Sequence, residues 1–432
     1  MADDDTTHGA PTRRDYLTYG GAVVGGGLLA GCAGQGDSGA DGAEDRGNTV
    51  TEGTDSGDEP TETDDPEDGS TEEAETETGS EPPYEACIEP TGCVTFEEVP
   101  ETYVVYNAGW ADMAFALGQQ DGLLAASGFT WFPPYVFEPF DLDVPSADEF
   151  PSLWADGWDK EQFFELDPDV FLIDPEFLHG VGWDSSWDEE DTEEIEENVA
   201  PFFGNSMRRR REFHDYKLYP LYEGLERLAD LFQEHERYEA FVELHEEVRS
   251  TIAERLPPED ERPEVALMYG SNSNPKKGSF SPLYAEDEGY EMKPYRDLEV
   301  ESAFSRSLVE GGEMDYERLF DVDPEIIIFS QGVQMTGDTD SFSPDAFREQ
   351  FLTPMEDDPV GSELSAVRDG TVYPGPLNEQ GPILNLLQTE MVARQLYPDE
   401  FGAFDPESFP QVPEEERLFD RQRVADIIDG DI

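Results

Sequence analysis

The sequence predicts an α/β protein of two Rossmann-like lobes with parallel central sheets, joined by one long backbone helix, with a cleft between the lobes. Three observations predict it. First, "DKEQFFELDPDVFLID" from Asp159 and "DYERLFDVDPEIIIFS" from Asp315 are near copies, and their acids Glu161 and Glu317 stand 156 residues apart (317 − 161). That offset is the size of a domain and too long for a solenoid period of roughly 20 to 50 residues. Second, short runs of strand formers alternate with helical patterns, as in βαβ units. Third, an amphipathic stretch from Tyr222 to Leu256 separates the two copies.

The elements follow in order. Residues 1–32 carry "TRRDYL" and then a weakly apolar run ending in "LAGC" at Cys32, too short to span a bilayer as a helix. The run resembles a twin-arginine export signal with a lipobox, in which Cys32 is the lipidated residue. Residues 33–84 are rich in Asp, Glu, Thr, Ser and Gly and nearly devoid of apolar residues, so a disordered acidic tether is expected. In the next stretch Cys87 and Cys93 flank "IEPTG". With Cys32 modified, these two remain as a pair, and an extracytoplasmic setting favours a disulfide.

The N-terminal lobe is expected over 85–215, with strands in "YVVYNA" from Tyr103 and "LLAAS" from Leu123, then a helix at Glu161 to Glu165 and the strand "VFLID" from Val170. Pro168 suits the turn, because it cannot continue the helix ahead of it. The backbone helix falls in 216–258, where Leu221, Leu225, Leu228, Phe232, Phe241, Leu244, Val248, Ile252 and Leu256 recur mostly at helical steps. The register slips between Gln233 and Arg237, where a break would fall. The C-terminal lobe, 259–402, has strands in "EVALMYG", "EIIIFS" and "TVYPGP", and 403–432 reads as an extension ending in a helix packed on the outside.

The net charge of −77 and the pI near 4.1 exclude a nucleic-acid surface, because no basic stripe is available to displace counterions. Of 26 basic residues only five are Lys, a balance that resembles proteins of extreme halophiles. Aromatic residues make up 12% of the chain, which argues for a packed core over an acidic disordered protein. No hydrolase elbow, zinc-protease helix, P-loop or dinucleotide fingerprint is present, so no catalytic residue, cofactor or resident metal is expected; a ferric ion bound directly by Tyr and acid side chains, which the chain has in excess, is the alternative. Of the five His, His235 and His245 on the long helix are expected to face solvent.

Three stretches together resemble the solute-binding proteins of ABC importers that carry ferric siderophores, haem and vitamin B12. They are the two copies and "LSAVRDGTVYPGPLNEQGPILNLLQTEMVARQLYPDEF" from Leu364, whose short strand and closing helix match the family's end pattern. The resemblance implies a monomer on the outer face of the cytoplasmic membrane. It would bind a small metal chelate and deliver it to a permease, with ATP hydrolysed by a partner. It also implies that Glu161 and Glu317, one acid per lobe, dock on Arg residues of the permease. The competing reading is that both acids only complement a helix dipole, worth about 0.3–1 kcal/mol each.

In α/β sheets ligands bind beyond the carboxyl ends of strands. Loops there supply Trp110, Trp131, Tyr135, Trp154, Trp158 and Trp183, flat side chains suited to a bulky, partly apolar ligand or else to the edge of a core. In "NSMRRRREF" Arg208 and Arg209 are candidates for holding an anionic group, or for pairing with the chain's own acids. The second lobe offers Tyr269, Asn272, Lys276 and Gln331. A ferric siderophore is the expected ligand, cobalamin or haem the nearer alternatives, and a surface adhesion or sensor module the alternative of another class.

Overall fold

The computed structural model describes residues 83–432 apart from 129, 155–156 and 338–340. The export signal with Cys32 and the acidic tether up to residue 82 lie outside these residues. The described part opens with an antiparallel hairpin of β1 (Tyr84–Ile88) and β2 (Gly92–Phe96), in which Cys87 stands opposite Cys93 and the two are disulfide-bonded with Cα atoms 4.0 Å apart. Ala86 and Ile88 face inward and Tyr84 donates to the Leu231 carbonyl, so the hairpin is sewn to the connecting helix.

Three parallel strands form the first sheet in the order β4-β3-β5: β3 (Tyr103–Val105), β4 (Leu123–Ala125) and β5 (Val170–Leu172). Every residue of β3 and β5 is buried, as expected for a parallel sheet covered on both faces. Helix α1 (Ala108–Ala116) crosses from β3 to β4 and is itself buried throughout. Helix α2 (Lys160–Leu166) leads into β5.

The connecting segment is two helices. Helix α3 (Leu221–Phe232) ends at Gln233, whose left-handed φ of 57° closes it, and α4 (His235–Arg255) starts two residues on. The break falls where the apolar register slips. Helix α4 buries Ala240, Phe241, Leu244, Val248 and Ile252, and its 21 residues reach roughly 31 Å at about 1.5 Å per residue. His245 does not face solvent: its ring stacks on Tyr222 at 4.2 Å, and its Nε2 lies 3.4 Å from Asp297 of the second lobe.

The second sheet contains β6 (Glu264–Tyr269), β7 (Pro282–Leu283), β8 (Glu301–Ser302), β9 (Ile326–Ser330) and β10 (Val372–Pro374). Its order is β10-β9-β6-β7, with β8 also paired to β6; only β7 runs antiparallel. Helix α5 (Tyr316–Val322) leads into β9 as α2 leads into β5. The two copies of the repeated phrase fold alike. Asp159 and Asp315 cap their helices from the N-terminal side, while Asp167 and Asp323 end them in the left-handed region at φ 41° and 45°. After each Pro an acid then grips the backbone at the start of the neighbouring strand. Asp169 accepts from the amides of Glu101 and Thr102 at 3.0 and 2.8 Å, and Glu325 accepts from the Glu264 amide at 3.1 Å.

Helix α6 (Pro382–Leu396) is buried along its whole length, polar residues included. Its N-terminus has no side-chain cap of its own, and Asp112 of α1 supplies one across the sequence. The Asp112 carboxylate accepts from the amides of Gly381, Ile383 and Leu384, the last two at 3.2 and 3.1 Å. Three donors at a helix N-terminus suit an anion. Helix α7 (Arg421–Asp429) covers α4, with Arg423 on Glu243 at 2.9 Å and Arg237 donating to the carbonyls of Ile427 and Ile428 at 3.2 Å.

Complete burial pushes the Asp112 carboxyl up to about 7 against the pull of its three amide donors. A folded value above the unfolded one means that the neutral acid is favoured in the fold. The contribution is full below about pH 4 and is lost as pH rises through about 7. In molar salt, the melting temperature of the wild-type chain minus that of Asp112→Asn is therefore expected to fall by several degrees from pH 4 to pH 7.5. A difference that stays level across that range would remove Asp112 as the titrating group.

Candidate functional site

The carboxyl ends of the two sheets abut. Asn107 follows β3, Asp174 follows β5, Tyr269 ends β6, Gln331 follows β9, and the 375–380 segment follows β10. Between them lies a buried ionic network. The Glu379 carboxylate accepts from Asn107 Nδ2 at 3.1 Å, from the Gly109 amide at 3.3 Å, from Arg208 Nη1 at 3.3 Å and from the Tyr290 hydroxyl. Glu291 receives Arg208 Nε at 3.2 Å and two bonds from Arg209, at 2.7 and 2.6 Å. Burial pushes the Glu291 carboxyl up, but Arg208 and Arg209 outweigh it and hold the group below its ordinary range.

The backbones must come close for this network to form. A Cβ on Gly109 would stand 2.8 Å from the Tyr290 hydroxyl. One on Gly289, whose φ is +95°, would stand 2.1 Å from the Arg208 carbonyl. Only glycine fits the second position on both counts.

Of the two readings of Arg208, an anionic ligand or the chain's own acids, the structure shows the second: its guanidinium is turned inward onto two buried carboxylates of the other lobe. Arg209 is partly committed as well, though it remains part-exposed and lies over the Tyr269 ring at 5.0 Å from its centre. Burial raises the Tyr269 phenol, Arg208 and Arg209 lower it, and the net direction is down.

Arg211, absent from the candidate set, is differently placed. Its guanidinium lies 6.0 Å from the Trp183 ring centre, and its backbone amide donates to His214 Nδ1 at 2.7 Å. Among the described residues no carboxylate comes within ion-pair distance of it. Burial and then the neighbouring cations Arg208 and Arg209 lower its pKa. Burial and the cations Arg210 and Arg211 lower the His214 imidazole to about 4, so that this ring is neutral at pH 7.

Trp183 is 45% exposed, and its ring packs on Tyr106, Trp154 and Phe177 at 6.3, 6.0 and 5.3 Å. Trp158 backs Trp154 at 4.8 Å and donates to the Leu178 carbonyl, so it supports this wall from within. The predicted Trp154, Trp158 and Trp183 therefore come together, with Arg211 at their edge.

Three other candidates do not join them. Trp110, Trp131 and Tyr135 are 2%, 3% and 1% exposed, with their polar atoms spent on the carbonyls of Asn205, Pro145 and Val333. They are core residues, because each polar tip finds a backbone partner inside. Lys276 is exposed, on a turn whose Pro275 carbonyl accepts from the Tyr316 hydroxyl of α5 at 3.0 Å. Asn272 is exposed three residues past Tyr269, and Gln331 is half-buried at a left-handed φ of 65°. Glu161 and Glu317 are both exposed in the first turns of α2 and α5.

No curated protein sequence matches the chain. Among solved structures, a periplasmic binding protein from Veillonella parvula is 14% identical and aligns over 72% of this chain and 97% of its own, with a TM-score of 0.51. The substrate-binding protein of an iron-uptake ABC transporter from Streptococcus pneumoniae is 16% identical over 73% and 99%, with a TM-score of 0.49. A periplasmic haem-binding protein from Pseudomonas aeruginosa is 17% identical over 70% and 94%, with a TM-score of 0.48. A family model for periplasmic binding proteins matches residues 104–377, well over half of the chain and nearly all of both sheets, and the chain belongs to that family.

Proposed function

We propose that the chain captures a ferric siderophore outside the cytoplasmic membrane and hands it to an ABC permease. The family consists of solute-binding proteins, which are not enzymes, and its members bind small metal chelates for such a permease. The observation that supports an anionic chelate as the ligand is Arg211 beside Trp183. In a chain of net charge −77, a half-buried cation without a carboxylate partner, laid against a half-exposed indole, is a place for an anionic and partly flat group.

On the same reading the export signal and Cys32 anchor the chain by lipid. Among the described residues no helix is long and apolar enough to cross a membrane. Glu161 and Glu317 are proposed as the permease-docking acids, one on each copy of the repeat.

Titration of Trp fluorescence in molar salt against ferric hydroxamates, ferric catecholates, haem and cobalamin tests the ligand. A ferric siderophore is expected to bind tightest, with Arg211→Gln weakening it about tenfold or more and Trp183→Leu removing much of the signal. A response to cobalamin alone, or unchanged binding by Arg211→Gln, would overturn the assignment. The paired substitution Glu161→Gln and Glu317→Gln is expected to leave ligand affinity intact while slowing uptake in reconstituted membranes. Because the lobes are clasped at Glu379 and Asp112, small-angle scattering of free and loaded chain is expected to differ little; a large compaction on loading would contradict the clasp.

A further inference from the structure

Resting on the docking reading above, we propose that Phe164 and Phe320 are a matched pair of apolar anchors that enter equivalent recesses in the two halves of the permease. Phe164, Trp183, Phe320 and Ile432 are the exposed large apolar residues among those described. Trp183 belongs to the ligand wall and Ile432 ends the chain. The remaining two occupy the same place in the two copies of the repeat, three residues after Glu161 and three after Glu317. Both are 42% exposed. Each follows a buried apolar residue, Phe163 in one copy and Leu319 in the other, so the helix already has its inward anchor. Among the described residues neither ring stacks on another aromatic ring or joins the buried core clusters.

Side chains three apart lie on one face of a helix, roughly 5–6 Å between Cβ atoms. Each lobe therefore presents a carboxylate and a phenyl side by side, and the chain presents the pair twice. A partner built from two equivalent halves fits a motif that is duplicated in this way, and an ABC permease is the partner the family supplies. The charge of the chain makes the apolar half of the motif necessary. Two Glu among 103 acidic residues identify no surface, and in molar salt the Debye length of about 3 Å leaves exposed ion pairs little reach. Burying an aromatic side chain is not screened by salt, and aromatic residues are prominent among interface anchors.

Binding of the full chain to its ABC permease in lipid nanodiscs, measured in moderate and in molar KCl, tests the inference. The variants are Phe164→Ser, Phe320→Ser, their double, and the double Glu161→Gln/Glu317→Gln; melting temperature and ligand affinity of each show that the lobes are intact. Each single Phe variant is expected to weaken binding about three- to tenfold and the double by more, undiminished by salt. The loss in the Glu double is expected to shrink as salt rises. If the Phe double binds as wild type does while the Glu double is weakened, the anchors fail and the docking reading stands. If the Phe double is weakened and the Glu double is not, the anchors stand without the acids. If the wild-type chain does not bind the permease, both fall.

Discussion

Glu379 holds the structure together. Its carboxylate draws donors from the end of the first sheet, from the Arg run and from the second lobe, at the point where both sheets present their strand ends. With Glu291, Arg208 and Arg209 it makes a network of two anions and two cations, neutral as a whole. Neutrality is the condition for burying it: removing one member of a buried ion pair leaves an uncompensated charge, commonly at a cost of about 3–5 kcal/mol. The glycines at 109 and 289 follow from this, since any side chain there would hold the donors and acceptors apart. Asp112 makes a second bond between distant parts of the chain, capping α6 from α1. Both contacts join the first lobe to the second directly, in addition to the α3–α4 connection along the chain.

The sheets were legible because their strands are simple. "YVV" and "IIIFS" are apolar runs covered on both faces, and such runs bounded by Pro and polar residues read as buried parallel strands. The repeat was legible for a different reason. Its first Asp caps a helix, its second ends it, and the acid after the Pro holds the neighbouring strand, so the same letters recur wherever the same geometry recurs. What escaped was short or depended on distant partners. Strands β7 and β8 have two residues each and exist only because β6 offers edges to pair with. The helix break was visible as a slip in register, but the left-handed turn at Gln233 that closes α3 leaves no mark of its own in the sequence.

The site was harder to read than the fold, and the Arg run explains why. Arg208 and Arg211 are chemically identical and three residues apart. One is buried on Glu291 and Glu379, 83 and 171 residues downstream, and the other lies on Trp183. Nothing local distinguishes them; the difference lies in what folds against each. The aromatic loops divide in the same way. Trp110, Trp131 and Tyr135 find carbonyl partners inside the core, whereas Trp183 has its ring against other rings and its outer side in solvent. A Trp on a loop after a strand is an equally good signal for either outcome.

On the proposed function, the charge of the chain bears on how an anionic chelate would be captured. In dilute buffer a net charge of −77 would repel an anionic chelate well before contact. In molar salt the same field falls off over about 3 Å, so neither repulsion nor attraction steers the ligand in, and selection rests on what it touches. That gives a lone cation its weight. Arg211 is only partly in solvent and has no carboxylate to satisfy it, so an anionic oxygen reaching it meets a charge that salt screens poorly. Trp183 beside it supplies contact area whose value does not depend on ionic strength. On that reading a surface covered in acids and a site with one unmatched cation are compatible, because the cation would act only at contact.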